Sequence, residues 1–151
     1  MASNKRNKKY TARYRNRPNW TERMSSLTET MAADCMKAPL AAAHEIVNGR
    51  ATDDHLSYVS CVIRAMVLLS KHYEDSDEIV KLSKDAYAAF VRIYDEASEG
   101  RDYSIEDAEL VQAAVQTYAD MIEISRRGEV WDAFEEAQRT VFSPNYDWRK
   151  V

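Results

Sequence analysis

Residues 49–70 read GRATDDHLSYVSCVIRAMVLLS. Gly49 follows a long stretch with helical periodicity and reads as a helix C-cap, because glycine enters the left-handed conformation without steric cost. Thr52 or Asp53 then offers an N-cap, and Asp53 and Asp54 place acids in the first turn, where the helix dipole favours them. From there Leu56, Val59, Val62, Ile63, Met66, Val67 and Leu69 follow one another at helical spacing. A helix apolar around so much of its circumference has to be surrounded by others, so it is expected to be the most buried element.

The flanking sequence supplies those others. Gly100 in SEGR and Gly128 in RRGE read as further helix ends. EDSDE offers Ser76 or Asp75 as an N-cap, and YSIED is a variant capping box, with Ser104 at the cap and Asp107 three residues on. One apolar stripe runs Ile79, Leu82, Ala86, Phe90, Ile93, Ala97, flanked by Tyr87 and Tyr94. A second runs Val111, Ala114, Val115, Tyr118, Ile122. After Gly128, the residues Val130, Trp131, Phe134, Ala137 and Val141 make a shorter helix, stopped at Ser143-Pro144. Tyr87, Phe90, Tyr94 and Tyr118 are expected in the core. Upstream, Pro39 interrupts a helical composition, and an interior proline costs about 3 kcal/mol. That argues for two helices, over residues 21–36 and 39–48.

The expectation is therefore an all-α, single-domain bundle of five to six helices over residues 20–142, preceded by a basic arm (1–19) and followed by an aromatic-basic tail (143–151). With 151 residues the chain suits one domain and needs no disulfide to hold a core. Three glycines and three prolines are too few for the turns of an all-β fold.

The net charge of −4 conceals an asymmetry. Residues 1–19 hold seven Lys and Arg and no acid, leaving 14 basic and 25 acidic residues beyond. Such an arm seeks anions. Lys5, Arg6, Lys8, Lys9, Arg13, Arg15 and Arg17 suit phosphates, whose counterions they displace, and Tyr10 and Tyr14 suit stacking on unpaired bases. As a helix, Lys5, Lys9, Arg13 and Arg17 form one stripe. As an extended arm, Arg13, Arg15 and Arg17 share a side. Nucleic acid is the favoured partner of the arm, ahead of an acidic protein surface, a solubilising tail or a transit peptide. Trp20, Tyr146, Trp148 and Arg149 are candidates for a protein-contact patch, since Trp, Tyr and Arg anchor interfaces. The rival reading has the tail plugging the end of the bundle.

Acids cluster at Glu74, Asp75, Asp77, Glu78; at Asp95, Glu96, Glu99; at Asp102, Glu106, Asp107, Glu109; and at Glu129, Asp132, Glu135, Glu136. Solvated helix faces are the ordinary account of them. If the body binds, it binds a basic partner, as a nucleic-acid mimic would.

The remaining chemistry is sparse. His44, His55 and His72 fall in neither an HExxH nor a Glu-x-x-His spacing, and there is no Walker loop or GxSxG, so no metal, cofactor or catalytic residue is assigned. Cys35 and Cys61 lie outside any CxxC and read as small buried hydrophobes, with a disulfide between them the lesser alternative. The basic start precedes no apolar run and no segment suits a bilayer, so a cytoplasmic location without membrane contact is expected. A homodimer is left open.

Residues 39–59, PLAAAHEIVNGRATDDHLSYV, through to SRRGEVWDA, behind a basic arm ending in RP, resemble a group of small helical proteins encoded by proteobacterial phages, prophages and plasmids. The shared features are a helix ending in Gly49, then Ala51, Thr52, Asp53 and Asp54 opening a long apolar helix, and a later helix closed by Arg127-Gly128. The resemblance covers about three-quarters of the chain and brings no catalytic residue with it. It implies a mobile-element protein, a class often made up of inhibitors or adaptors acting on host nucleic-acid machinery.

Three functions follow from these readings. The first is a non-enzymatic interaction protein at nucleic acid or a nucleoprotein assembly. The second is a phage-type inhibitor of a host nucleic-acid enzyme, such as an anti-CRISPR protein, working through the acidic bundle. The third is a helical enzyme or metal protein.

Overall fold

Three hydroxyl side chains start helices as their positions require. The amides of Met31, His55 and Asp107 donate to Thr28 Oγ1, Thr52 Oγ1 and Ser104 Oγ at 3.2, 3.3 and 3.4 Å. The computed structural model describes residues 23–74 and 76–141, and among them five helices: α1 (Glu29–Val47), α2 (Asp53–Ser70), α3 (Asp77–Ser98), α4 (Ile105–Ile124) and α5 (Arg127–Val141). The described residues contain no strand, only an isolated antiparallel bridge between Ser26 and Arg126.

Helices α1 to α4 form a ring in which each packs on the next and α4 returns to α1. Helices α2 and α4 also touch across the ring, and α5 lies against α2. Two tyrosines mark the up-and-down course. Tyr103, before α4, donates its hydroxyl to the Ile46 carbonyl in the last turn of α1 at 2.6 Å. Tyr73, after α2, donates to the Met121 carbonyl near the end of α4 at 3.1 Å. Short connections make sequence neighbours antiparallel.

Helix α2 is the central element, as its composition demands. Ten of its 18 residues are buried, including Val59, Ile63, Met66 and Leu69, and all four other helices pack on it. Burying each such side chain contributes about 1.5–3 kcal/mol. Val111, Ala114, Val115, Tyr118 and Ile122 of α4 are buried, as are Ala86, Phe90 and Ile93 of α3. Buried serines between the helices satisfy themselves on their own helix: Ser60 donates to the Ser57 carbonyl at 2.9 Å, and Ser83 to that of Ile79 at 2.7 Å.

Four sequence expectations need correction. Helix α1 is not split: it runs through Pro39, which is buried. Ala32, Met36, Pro39, Ala43 and Ile46 are all buried at alternating spacings of four and three. The proline ring therefore sits on the core face, and the apolar surface buried on both sides of it outweighs the penalty of about 3 kcal/mol. The start at residue 21 is also displaced, because Thr28 takes the cap.

Gly128 ends no helix. Helix α4 stops at Ile124, with Ser125 extended, and Gly128 is the buried second residue of α5. A Cβ there would lie 2.9 Å from Arg23 Cβ and 3.1 Å from the Arg23 carbonyl oxygen, so the glycine admits a close backbone approach. Gly49 and Gly100, by contrast, have φ of +74° and +70°, the left-handed caps expected.

The capping box at Ser104 is half made. Ser104 accepts the Asp107 amide, but the Asp107 carboxylate goes to Arg92, at 2.9 and 2.6 Å. Finally, Tyr94 (39% exposed), Trp131 (40% exposed) and Cys35 lie at the surface, whereas Cys61 is buried. Both thiols are free. Desolvation pushes the Cys61 thiol up to about 11.

Candidate nucleic-acid interface

Every residue assigned to the arm from the sequence lies outside the described residues: Lys5, Arg6, Lys8, Lys9, Tyr10, Arg13, Tyr14, Arg15 and Arg17. So do Trp20, Tyr146, Trp148 and Arg149. What the structure does describe is the place where the arm joins the bundle.

That place is a strap, residues 23–28, laid across the junction of α4 and α5. The Arg127 amide donates to the Ser25 carbonyl at 2.8 Å, and Ser26 pairs with Arg126. Arg23 closes on Gly128 and forms an ion pair with Asp132, one turn further along α5. Hydrogen bonding to Asp132 is the main cause that raises the Arg23 pKa. Arg126 Nη1 reaches Met24 Sδ at 3.9 Å. Four consecutive residues, 23–26, are thus held by α5 and the two-residue turn before it.

The carboxylates around this junction are engaged. Glu129 accepts the Arg126 amide at 3.1 Å through Oε2, and its Oε1 lies 3.6 Å from His72 Nδ1, at the end of α2. Tyr73, the next residue, hydrogen-bonds both the Met121 carbonyl and the Ser125 hydroxyl. The junction therefore gathers the strap, the α2–α3 turn, the end of α4 and the start of α5.

Elsewhere arginines are neutralised in place. Arg50 grips Glu45 at 2.6 and 2.9 Å, and Arg101 grips Glu96 at 2.6 and 3.2 Å and also pairs with Glu99. These hydrogen bonds hold Glu45 and Glu96 below the usual carboxylate range. Arg92 grips Asp107, and Arg139 lies 3.0 Å from Glu136 and 3.6 Å from Glu135. Among the described residues, Arg64, Arg126 and Arg127 form no ion pair with a carboxylate. The buried Nε atoms of Arg64 and Arg127 have no hydrogen-bond partner.

Many acids of the sequence clusters are thereby tied internally: Glu96, Glu99, Asp107, Asp132 and Glu136 all face arginines. Part of the open acidic surface lies on α4. Its exposed face runs Glu106, Glu109, Ala113, Gln116, Asp120, Glu123, and the helix contains no Lys, Arg or His.

His44, at the end of α1, and His55, at the start of α2, lie toward one end of the bundle, and His72 lies at the other. Among the described residues no group of three or more His, Cys, Asp or Glu is placed to hold a metal ion, and no helix is long and apolar enough to cross a membrane.

The sequence alone assigns Arg126 and Arg127 to a helix end, and the structure places them where the strap meets α5; the one pair of adjacent arginines in the chain was the available signal. Compared with known proteins, the chain matches no family model, no curated protein and no solved structure.

Proposed function

We propose that this protein is a non-enzymatic interaction protein that acts at nucleic acid or a nucleoprotein assembly. The arm holds phosphates through Lys5, Lys8, Lys9, Arg13, Arg15 and Arg17, and the bundle engages a protein partner. One observation carries the reading: seven cations without an acid in residues 1–19, set before a remainder of net charge −11. A phosphate polymer is attracted to the first and repelled by the second. The strap supports the reading, since it gives the arm a fixed origin on the bundle.

The test is fluorescence anisotropy on single- and double-stranded oligonucleotides at two salt concentrations, comparing the intact chain with one that begins at Trp20. The expected result is tight binding that weakens steeply with salt and is lost on truncation. Equal and negligible binding by both chains rejects the proposal.

The base-free face of α4 favours a second reading, an inhibitor of a host nucleic-acid enzyme that docks a basic protein groove. It requires a stoichiometric complex that survives nuclease treatment and dissociates when Glu109, Asp120 and Glu123 are replaced by Lys.

A further inference from the structure

The ring consists of two like halves. Helices α1 and α2, and helices α3 and α4, are equivalent hairpins. Each turns through E-x-x-x-G-R, Glu45 to Arg50 and Glu96 to Arg101, and a hydroxyl cap opens its second helix, Thr52 in one and Ser104 in the other. Counted from those caps, Val59, Val62, Ile63 and Met66 of α2 fall on Val111, Ala114, Val115 and Tyr118 of α4, and every one of them is buried.

The halves differ on the outside. Cys61 and Ala65 stand two residues either side of Ile63, on the side of α2 turned away from its core face, yet both are buried. Helix α5 lies against α2, and its Glu129 meets His72 at the end of the same stripe. Small side chains at 61 and 65 suit the close approach of a second helix. The equivalent stripe of α4 is Ala113, Thr117 and Ile124. No described helix is seated there: Ala113 is exposed, and Ile124 is 73% exposed.

Charge decides which helix fits. Helix α2 has no acid after Asp54 and carries Arg64, and the helix seated on it bears Glu129, Asp132, Glu135 and Glu136. Helix α4 is the reverse. It holds no Lys, Arg or His, and Glu109 and Asp120 lie one turn before Ala113 and Ile124.

We infer that α4 seats a helix of a partner protein on Ala113, Thr117 and Ile124, as α2 seats α5, and that this partner helix is amphipathic and basic. Its apolar face lies on the stripe, and its Lys or Arg side chains meet Glu109 and Asp120. This rests on the second reading given above and names the element that the acidic face receives. A second copy of the chain does not fit, because its α5 is acidic like α4. Helices docked in this manner present apolar anchors at i, i+3, i+4 and i+7.

The experiment uses the full chain and a fluorescein-labelled peptide as long as α4, with Leu at i, i+3, i+4 and i+7 and Lys elsewhere. Anisotropy is read at physiological ionic strength, and a peptide of the same composition in scrambled order controls for charge alone. The double variant Ala113→Gln/Ile124→Gln obstructs the seat and removes its anchor without a change of charge. Ile105→Gln replaces an exposed isoleucine at the other end of α4, off the stripe. All three positions are exposed, so folding is retained, as circular dichroism will verify. The expected result is binding of the ordered peptide in preference to the scrambled one, weakened about tenfold by the double variant and unchanged by Ile105→Gln.

Equal binding of the two peptides, an unchanged affinity in the double variant, an equal loss in Ile105→Gln, or no binding at all overturns this inference. The second reading then keeps its own test, the nuclease-treated complex. Binding of the ordered peptide that survives replacement of Glu109, Asp120 and Glu123 by Lys overturns both.

Discussion

At the end of the bundle that carries Gly49 and Gly100, each turn closes on a residue five positions back. The Arg50 amide meets the Glu45 carbonyl and the Arg101 amide meets that of Glu96, both at 2.9 Å, and the same side chains pair by charge. The two segments, EIVNGR and EASEGR, share the pattern E-x-x-x-G-R. The amides of Gly49 and Gly100 complete each turn on Ile46 and Ala97, giving two copies of the Schellman closure in which an ion pair supplements the backbone bonds. At the opposite end, closure joins residues far apart in the chain: Tyr73 with Met121, Met24 with Arg126, Arg23 with Asp132. A turn closed over five residues forms with its own helix and costs little chain entropy. A closure between distant segments forms only when the bundle has assembled.

The glycines give the widest separation between the two ends. Gly128→Ala forces a Cβ against Arg23, and we expect a loss of about 1–3 kcal/mol in urea unfolding, reduced by the better helix propensity of alanine. Gly49→Ala and Gly100→Ala meet open space and cost only the left-handed backbone, about 1 kcal/mol each. Asparagine distinguishes the causes: it tolerates a left-handed φ, so Gly49→Asn recovers part of the loss, whereas Gly128→Asn recovers none. A neutral or stabilising Gly128→Ala would remove the close approach from the account of the strap.

The tyrosines are the next comparison. Tyr73→Phe removes a hydroxyl shared by Met121 and the buried Ser125, and Tyr103→Phe removes one that bonds the Ile46 carbonyl and meets the Ala51 backbone. Each is expected to cost about 0.5–1.5 kcal/mol, with Tyr73→Phe the larger because it takes a partner from the buried Ser125 hydroxyl. The reverse order in thermal or urea unfolding would show that the glycine end, not the strap end, depends more on its long-range bond.

The smallest effect is electrostatic. The folded chain holds Glu45 and Glu96 below their unfolded pKa values. Their contribution is thus present above the unfolded pKa and lost as pH falls through the folded one. Glu45→Gln and Glu96→Gln should flatten the acid side of a melting temperature against pH profile, and 1 M salt should shrink the difference. Superimposable profiles would mean that the backbone bonds alone hold these turns.

The same division explains what could be read in advance. Thr52, Ser104, Gly49 and Gly100 act on residues within five positions, and their roles were legible in the sequence. Gly128 was misread because its reason is Arg23, on the far side of the chain. The spacing from Ala32 to Ile46 is visible in the sequence, but the burial on both sides of Pro39 that overrides the cost of an interior proline depends on the assembled bundle. For the interface, the basic arm was plain from charge alone. The placing of Arg126 and Arg127 was not, because it depends on the strap and on which carboxylates other cations have taken.

The central position of α2 has a dynamic counterpart. The middle of a helix packed by four others, Val59 to Leu69, is the part least able to open by itself, so hydrogen exchange of its amides follows unfolding of the ring. Helix α5, docked chiefly on α2, can open without the ring. Exchange rates in α2 then report global stability, and those in α5 report how firmly the strap holds.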